Sequence, residues 1–255
     1  MSIKKGTKLQ KIMQFPKGLV LTTGYLDSQG VSGQLLARYK KSGWLESISE
    51  GAYGTQGDTI DWQGALYAIQ SQLKLPVHCG GRTALELQGY GHYAASKTRE
   101  VFLFGPAGRK LPLWFGKYNW GVSFTYKMTS LFPDNLSIGY VDFPWGKFSI
   151  RTSSPERAAM EMLYHVPQKQ GFDEAMRIME SLLSLRPELV QQLLEVCASI
   201  KVKRLFLYMA QAANLPFMIK LNLKKVNLGN GDRTIIKGGR LDAQYRITVP
   251  RTGDA

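Results

Sequence analysis

The chain has 255 residues, 44% of them hydrophobic and 11% aromatic, which is ample for a packed core and excludes global disorder. Its 33 lysines and arginines against 19 acids leave a formal charge of +14, a balance that favours a polyanionic partner through steering and counterion release. No apolar run reaches the length of a membrane span, which argues against a membrane partner.

The opening MSIKKGTKLQKI carries lysines but no hydrophobic signal region, so the expected location is the cytoplasm. Residues 3 to 15 suit a short helix. Leu9, Ile12 and Met13 fall on one side, while Lys4, Lys8 and Lys11 cluster on another at i, i+4, i+7 spacing. Pro16 and Gly18 end it. Thr22 or Thr23 can cap a second helix carrying Tyr25 and Leu26, closed by Gly30. Ser32 caps a third that runs to about Ser42, with Leu35, Leu36 and Tyr39 facing inward and Gly43 as its stop. WLESISEGAYG then reads as a hairpin around a Glu-Gly turn.

Helix, helix, turn, helix and hairpin within some fifty residues resemble a winged helix-turn-helix. A major groove admits one helix, whose exposed side chains meet base edges. Ser32, Gln34 and Arg38 would do so here, with Lys41 toward the phosphates and Lys4, Lys8 and Lys11 suited to backbone contact. Glu46 and Glu50 in the hairpin count against deep insertion of the wing. An ordinary helix and hairpin inside a larger core has the same pattern. The expected division is a DNA-binding domain over 1–58 and a larger domain over 59–255.

From Thr59 the texture changes. Asp61 is positioned to cap a helix over 62–74, and Gly80, Gly81 and a cap-capable Thr83 precede a short helix that Gly89 and Gly91 end. EVFLFG, LPLWFG, WGVSFTYKM and YVDFPWGKFSIRTSS read as strands. SSPERAAMEMLYHVP restarts helix, with Ser154 as cap, Pro155 at the first helical position and Glu156 at the positive helix start. Three more helices are predicted at about 172–185, 187–199 and 202–213, and PFMIKLNLKKVNLGNGDRTIIKGGRLDAQYRITVP returns to strands. The fold class is therefore α+β: an N-terminal winged helix-turn-helix followed by a larger mixed helix–sheet domain.

Catalytic patterns are missing. His78, His92 and His165 form no ligand motif, and neither Cys79 nor Cys197 has a local nucleophile signature. GPAGRK lacks the spacing of a phosphate loop and reads as a turn. No catalytic residue, metal or cofactor is expected. The segment from Lys201 to Arg251 instead carries eleven cations against Asp232 and Asp242. Lys201, Lys203, Arg204, Lys220, Lys224, Lys225, Arg233, Lys237 and Arg240 are candidates for a surface that meets a polyanion or an acidic protein face. A solvated sheet face is the alternative.

At GGRTALELQGYGHYA, SSPERAAMEMLYHVP and LGNGDRTIIKGGRLDAQYRITVP, in that order, the chain resembles the AbiEi-type antitoxins, transcriptional regulators of type IV toxin–antitoxin systems. The resemblance spans nearly the whole chain and includes the N-terminal helix-turn-helix with its GAYG ending. It implies a bacterial repressor that binds inverted repeats in double-stranded DNA of its own promoter. It implies also that the larger domain counteracts a nucleotidyltransferase toxin encoded in the same operon, and it brings no catalytic residues. A stand-alone winged-helix transcription factor with a ligand-sensing or oligomerising domain, and a nucleic-acid enzyme with a scattered site, are the competing readings.

Overall fold

The computed structural model describes residues 12, 14, 16–90 and 100–251. Lys4, Lys8 and Lys11, and with them most of the first expected helix, lie outside the described residues, as do Gly91 and His92. The first elements are β1 (Leu21–Thr22), α1 (Thr23–Ser28), α2 (Gly33–Lys41), β2 (Leu45–Ser49), β3 (Ala52–Thr55) and α3 (Trp62–Ser71). The middle holds β4 (His78–Cys79), α4 (Gly81–Leu87), β5 (Glu100–Gly105), α5 (Leu113–Lys117), β6 (Ser123–Met128), β7 (Tyr140–Trp145) and β8 (Phe148–Ser153). Four helices follow, α6 (Pro155–Tyr164), α7 (Phe172–Glu180), α8 (Pro187–Val196) and α9 (Ile200–Ala212), then β9 (Arg233–Thr234), β10 (Arg240–Asp242) and β11 (Ile247–Val249). The strands pair in the orders β1-β3-β2, β6-β5-β4-β8-β7 and β10-β11-β9.

Two compact units result, Met1–His78 with Gly108–Ser123 and Asp142–Arg151, and Cys79–Ala107 with Phe124–Val141 and Thr152–Ala255. In the first, Ile12, Leu21, Leu26, Val31, Leu36, Tyr39 and Leu45 form one core. The β2–β3 hairpin pairs Leu45 with Thr55 and Ser47 with Tyr53, and a bulge falls between Ser47 and Ser49. Helix α3 belongs to this unit. Its Gln72 C-cap side chain accepts from the Thr22 N–H and hydroxyl at 2.9 and 3.0 Å and donates to the Val20 carbonyl at 2.6 Å. Gly64 permits the approach, because a Cβ there would sit 1.7 Å from the Gly18 carbonyl oxygen.

LPLWFG, expected as a strand, is helical from Leu113 to Lys117. Adjacent side chains of a strand point to opposite faces, whereas Trp114 and Phe115 are both buried, and both make ring contacts with Trp120. Helical geometry brings the two neighbours into one aromatic cluster.

In the second unit α6 to α9 supply most of a core that also takes in Leu85, Phe132, Ile235 and Ile247. Glu161 of α6 is 1% exposed and accepts from Arg157 Nε at 2.8 Å, the Ser153 hydroxyl at 2.6 Å and the Gly81 N–H at 3.2 Å. The Arg157 guanidinium lies between the rings of Phe132 and Tyr140, 4.6 and 4.2 Å from their centroids. Gly80 is required here, since a Cβ would stand 2.2 Å from a Glu161 carboxylate oxygen. Thr83 is inside α4 rather than capping it, and its hydroxyl accepts the Phe102 N–H at 3.0 Å, fastening α4 to β5. Asp61 and Ser154 occupy the N-cap positions of α3 and α6 without making a side-chain cap bond.

The stretch 216–225, read from sequence as strand, forms two 3-10 turns, Pro216–Lys220 and Leu223–Lys225. Pro216 has no N–H to give a ladder and is pre-set for the first position of a turn. Asn222 captures the Lys224 N–H with its side chain at 3.2 Å, favouring local over cross-strand bonding.

Candidate nucleic-acid interface

Helix α1 is short because its ends are fixed locally. Thr22 Oγ1 accepts the Tyr25 N–H at 3.3 Å, and Gly30 leaves the helix at φ 79°. Ser32 then begins α2, its hydroxyl oxygen accepting the Leu35 N–H at 3.4 Å. Eleven residues later Gly43, at φ 67°, turns the chain into β2. The helix buries Leu36 and Tyr39 against the first unit's core and half-buries Leu35. Its opposite face is open.

Ser32, Gln34, Arg38 and Lys41, the four expected contact residues of this helix, are all exposed. Gln34, Arg38 and Lys41 follow one another at four- and three-residue spacing and share that face. Ala37 lies between Gln34 and Arg38 and is also exposed; the sequence reading passed over it, although its neighbours at i−3 and i+1 mark its direction. A glutamine amide, a small methyl and a guanidinium side by side match the donors, acceptors and thymine methyl that a major groove presents. Lys40, also passed over, extends toward the wing, with its ammonium 5.7 Å from the Tyr53 ring centroid. Trp44 is 43% exposed where helix meets wing.

The basic C-terminal segment divides differently. Lys203 and Arg204 are 3% and 2% exposed, so neither contributes to a surface. Arg204 donates from Nε to the Leu228 carbonyl at 2.7 Å, from Nη2 to Gly229 at 2.9 Å, and from Nη1 to Gly231 and Arg246 at 2.6 and 3.2 Å. Lys201 is half-buried, and its ammonium donates to the carbonyls of Tyr164 and Val166 at 2.9 and 2.6 Å. Arg204 and Lys201 hold backbone. Lys220, Lys224, Lys225, Arg233, Lys237 and Arg240 remain exposed, the first three on the 3-10 turns and Arg233 and Arg240 on the outer strands of one small sheet.

Residues 5–96 match the model of the N-terminal domain of the AbiEi antitoxin transcriptional regulators, and residues 98–250 match that of the AbiEi antitoxin transcriptional regulators of type IV toxin–antitoxin systems. The chain belongs to the AbiEi antitoxin family. It is thus a transcriptional regulator and antitoxin of the type IV class. No curated protein matches it. Among solved structures it resembles the RV2827C protein from Mycobacterium tuberculosis, with 15% identity and a TM-score of 0.61 over 94% of this chain and 88% of that one, a likeness of fold.

Burial shifts three titratable groups inside this AbiEi chain, Cys79, Cys197 and His165. Burial, and then the Glu161 carboxylate, push the Cys79 thiol well up, and burial takes Cys197 to about 11. Both thiols are held protonated, the reverse of what a nucleophilic cysteine requires. Burial, with Lys127 and Lys201 nearby, lowers His165 to about 4. It packs against Phe102 and Phe104, at ring-centroid distances of 5.2 and 5.5 Å, as a neutral ring. No group of three or more His, Cys, Asp or Glu among the described residues could hold a metal ion, and no described helix is long and apolar enough to cross a membrane.

Proposed function

We propose that this AbiEi antitoxin is an autorepressor that lays α2 into the major groove of inverted repeats in its own promoter, and that it counteracts a nucleotidyltransferase toxin encoded in the same operon. The observation that carries the DNA reading is the open face of α2. Gln34, Ala37, Arg38 and Lys41 stand exposed on a helix whose opposite side is locked into a core by Leu36 and Tyr39. Such a helix is rigid enough to position side chains against base edges, and the basic balance of the chain supplies phosphate attraction. Lys4, Lys8 and Lys11 add phosphate contacts in this reading. The protein acts in the cytoplasm, where the promoter is, and is a regulator without enzymatic activity of its own.

In this reading residues 1–58 bind DNA and residues 59–255 carry neutralisation. The exposed cations Lys220, Lys224, Lys225, Arg233, Lys237 and Arg240 support an electrostatic mode for the second role. They would meet an acidic toxin face or compete for ground that nucleic acid would occupy. Footprinting of the full-length protein on its own upstream region tests the first role, with protection of paired half-sites as the expected result. Co-expression of Lys224→Glu/Lys225→Glu with the neighbouring toxin tests the second. Loss of growth protection with promoter repression intact is expected; full protection would remove the electrostatic mode.

A further inference from the structure

The segment Gly108–Ser123 lies far along the sequence yet belongs to the compact unit that contains the helix-turn-helix. Its helix α5 packs against β2, the outer strand of the wing and the strand that also contacts α2. We infer that this segment is a second DNA-binding element, which grips the phosphate backbone beside the wing; the inference rests on α2 being the recognition helix.

Charge points to the ligand. Arg109, Lys110 and Lys117 are exposed in this segment, and no acid occurs between Glu100 and Asp134. The wing is the opposite case. Its strand and turn bear Glu46 and Glu50, half-buried and exposed, and two carboxylates repel phosphate. An acidic wing cannot itself supply the phosphate contacts that help to fix register on a duplex. The segment packed on the wing's outer strand supplies cations where the wing has none.

Rigidity points the same way. Trp114, Phe115 and Trp120 are 6%, 1% and 9% exposed. Trp120 Nε1 donates to the Phe115 carbonyl at 2.8 Å, and the Trp114 and Phe115 rings meet Trp120 at 6.4 and 5.7 Å. Lys117 is at the end of α5, next to this cluster, and the ring of Tyr118, 38% exposed, packs tilted against Trp120 with centroids 4.4 Å apart. Lys117 is therefore carried on an anchored platform, which lowers the ordering cost of its phosphate contact.

The test measures binding of full-length protein to a duplex from its own upstream region and to an unrelated duplex, between 50 and 300 mM KCl. The Lys110→Glu/Lys117→Glu variant should bind both duplexes at least tenfold more weakly, and its log K against log salt should be shallower by about two units, one phosphate contact per lysine. Lys110→Gln/Lys117→Gln, which only removes charge, should show the same change in slope with a smaller loss, so a folding failure of the glutamate pair leaves the outcome decidable. If either folded variant binds with wild-type affinity and slope while Arg38→Ala loses the preference for the upstream duplex, this inference falls and the reading of α2 stands. If Arg38→Ala and wild type treat both duplexes alike, the α2 reading falls and takes this inference with it. A variant that binds DNA normally but no longer self-associates in sedimentation would assign the segment to contact with a second copy, and that too overturns the proposal.

Discussion

Arg38 in α2 and Arg204 in α9 are both helical arginines in a strongly basic chain, and they sit in opposite settings. Arg38 stands in solvent on a helix that is apolar on one side only, so its guanidinium is available to a partner. Arg204 sits on a helix buried on nearly every side, from Val202 through Leu205, Phe206, Leu207 and Met209 to Ala210. A cation there cannot remain hydrated, so it survives by satisfying carbonyls, and the irregular stretch 228–231 has carbonyls to offer. The difference teaches that net charge locates a partner only after helix burial has been subtracted. Lys201 and Arg204 of α9 are spent on backbone carbonyls, and Arg38 and Lys41 of α2 stand exposed.

Removing Arg204 should produce the largest effect. Arg204→Met strips the donor from four carbonyl acceptors and should cost on the order of 3–5 kcal/mol in denaturant unfolding. Arg204→Lys should recover little, since one ammonium cannot reproduce the guanidinium fork. A cost below about 1 kcal/mol would return Arg204 to the candidate surface.

The interior of the second unit should also show itself in pH. His165 is held near 4, below the usual 6.5, so between these values the unfolded chain takes a proton that the folded one refuses. Its contribution is therefore complete above pH 6.5 and is lost as pH falls toward 4, by about 3 kcal/mol. Subtracting a His165→Phe variant's stability from wild type at pH 7 and pH 4.5 isolates this. A pH-independent difference would place the ring in water.

The sequence made the first unit's helices readable because their signals are local. Thr22, Ser32, Gly30 and Gly43 cap or stop α1 and α2 where their chemistry says they should, and three- and four-residue spacing gave the inward Leu36 and Tyr39. The candidate contacts of α2 followed from the same periodicity. What was not legible depended on distant partners. Trp114 and Phe115 become helical to meet Trp120. The interior position of Arg204 depends on a loop more than twenty residues away. Lys40 and Trp44 gain their place from the wing folding back beside α2.

Smaller effects sharpen the surface side of the comparison. Lys41→Ala, at the exposed C-terminal end of α2, should weaken binding to every duplex by about 1 kcal/mol or less and reduce the salt slope by about one unit. Neither Lys41→Ala nor Arg38→Ala should change unfolding by more than about 0.5 kcal/mol, because both side chains are exposed and unburdened by packing.

The central claim is that α2 reads bases, and the ratio of affinities for the upstream duplex and a scrambled duplex of equal length tests it most directly. The Arg38→Ala variant should lose about 1–3 kcal/mol of that discrimination while its melting temperature stays at the wild-type value. An unchanged ratio, in a variant that is as stable as wild type, would contradict the account.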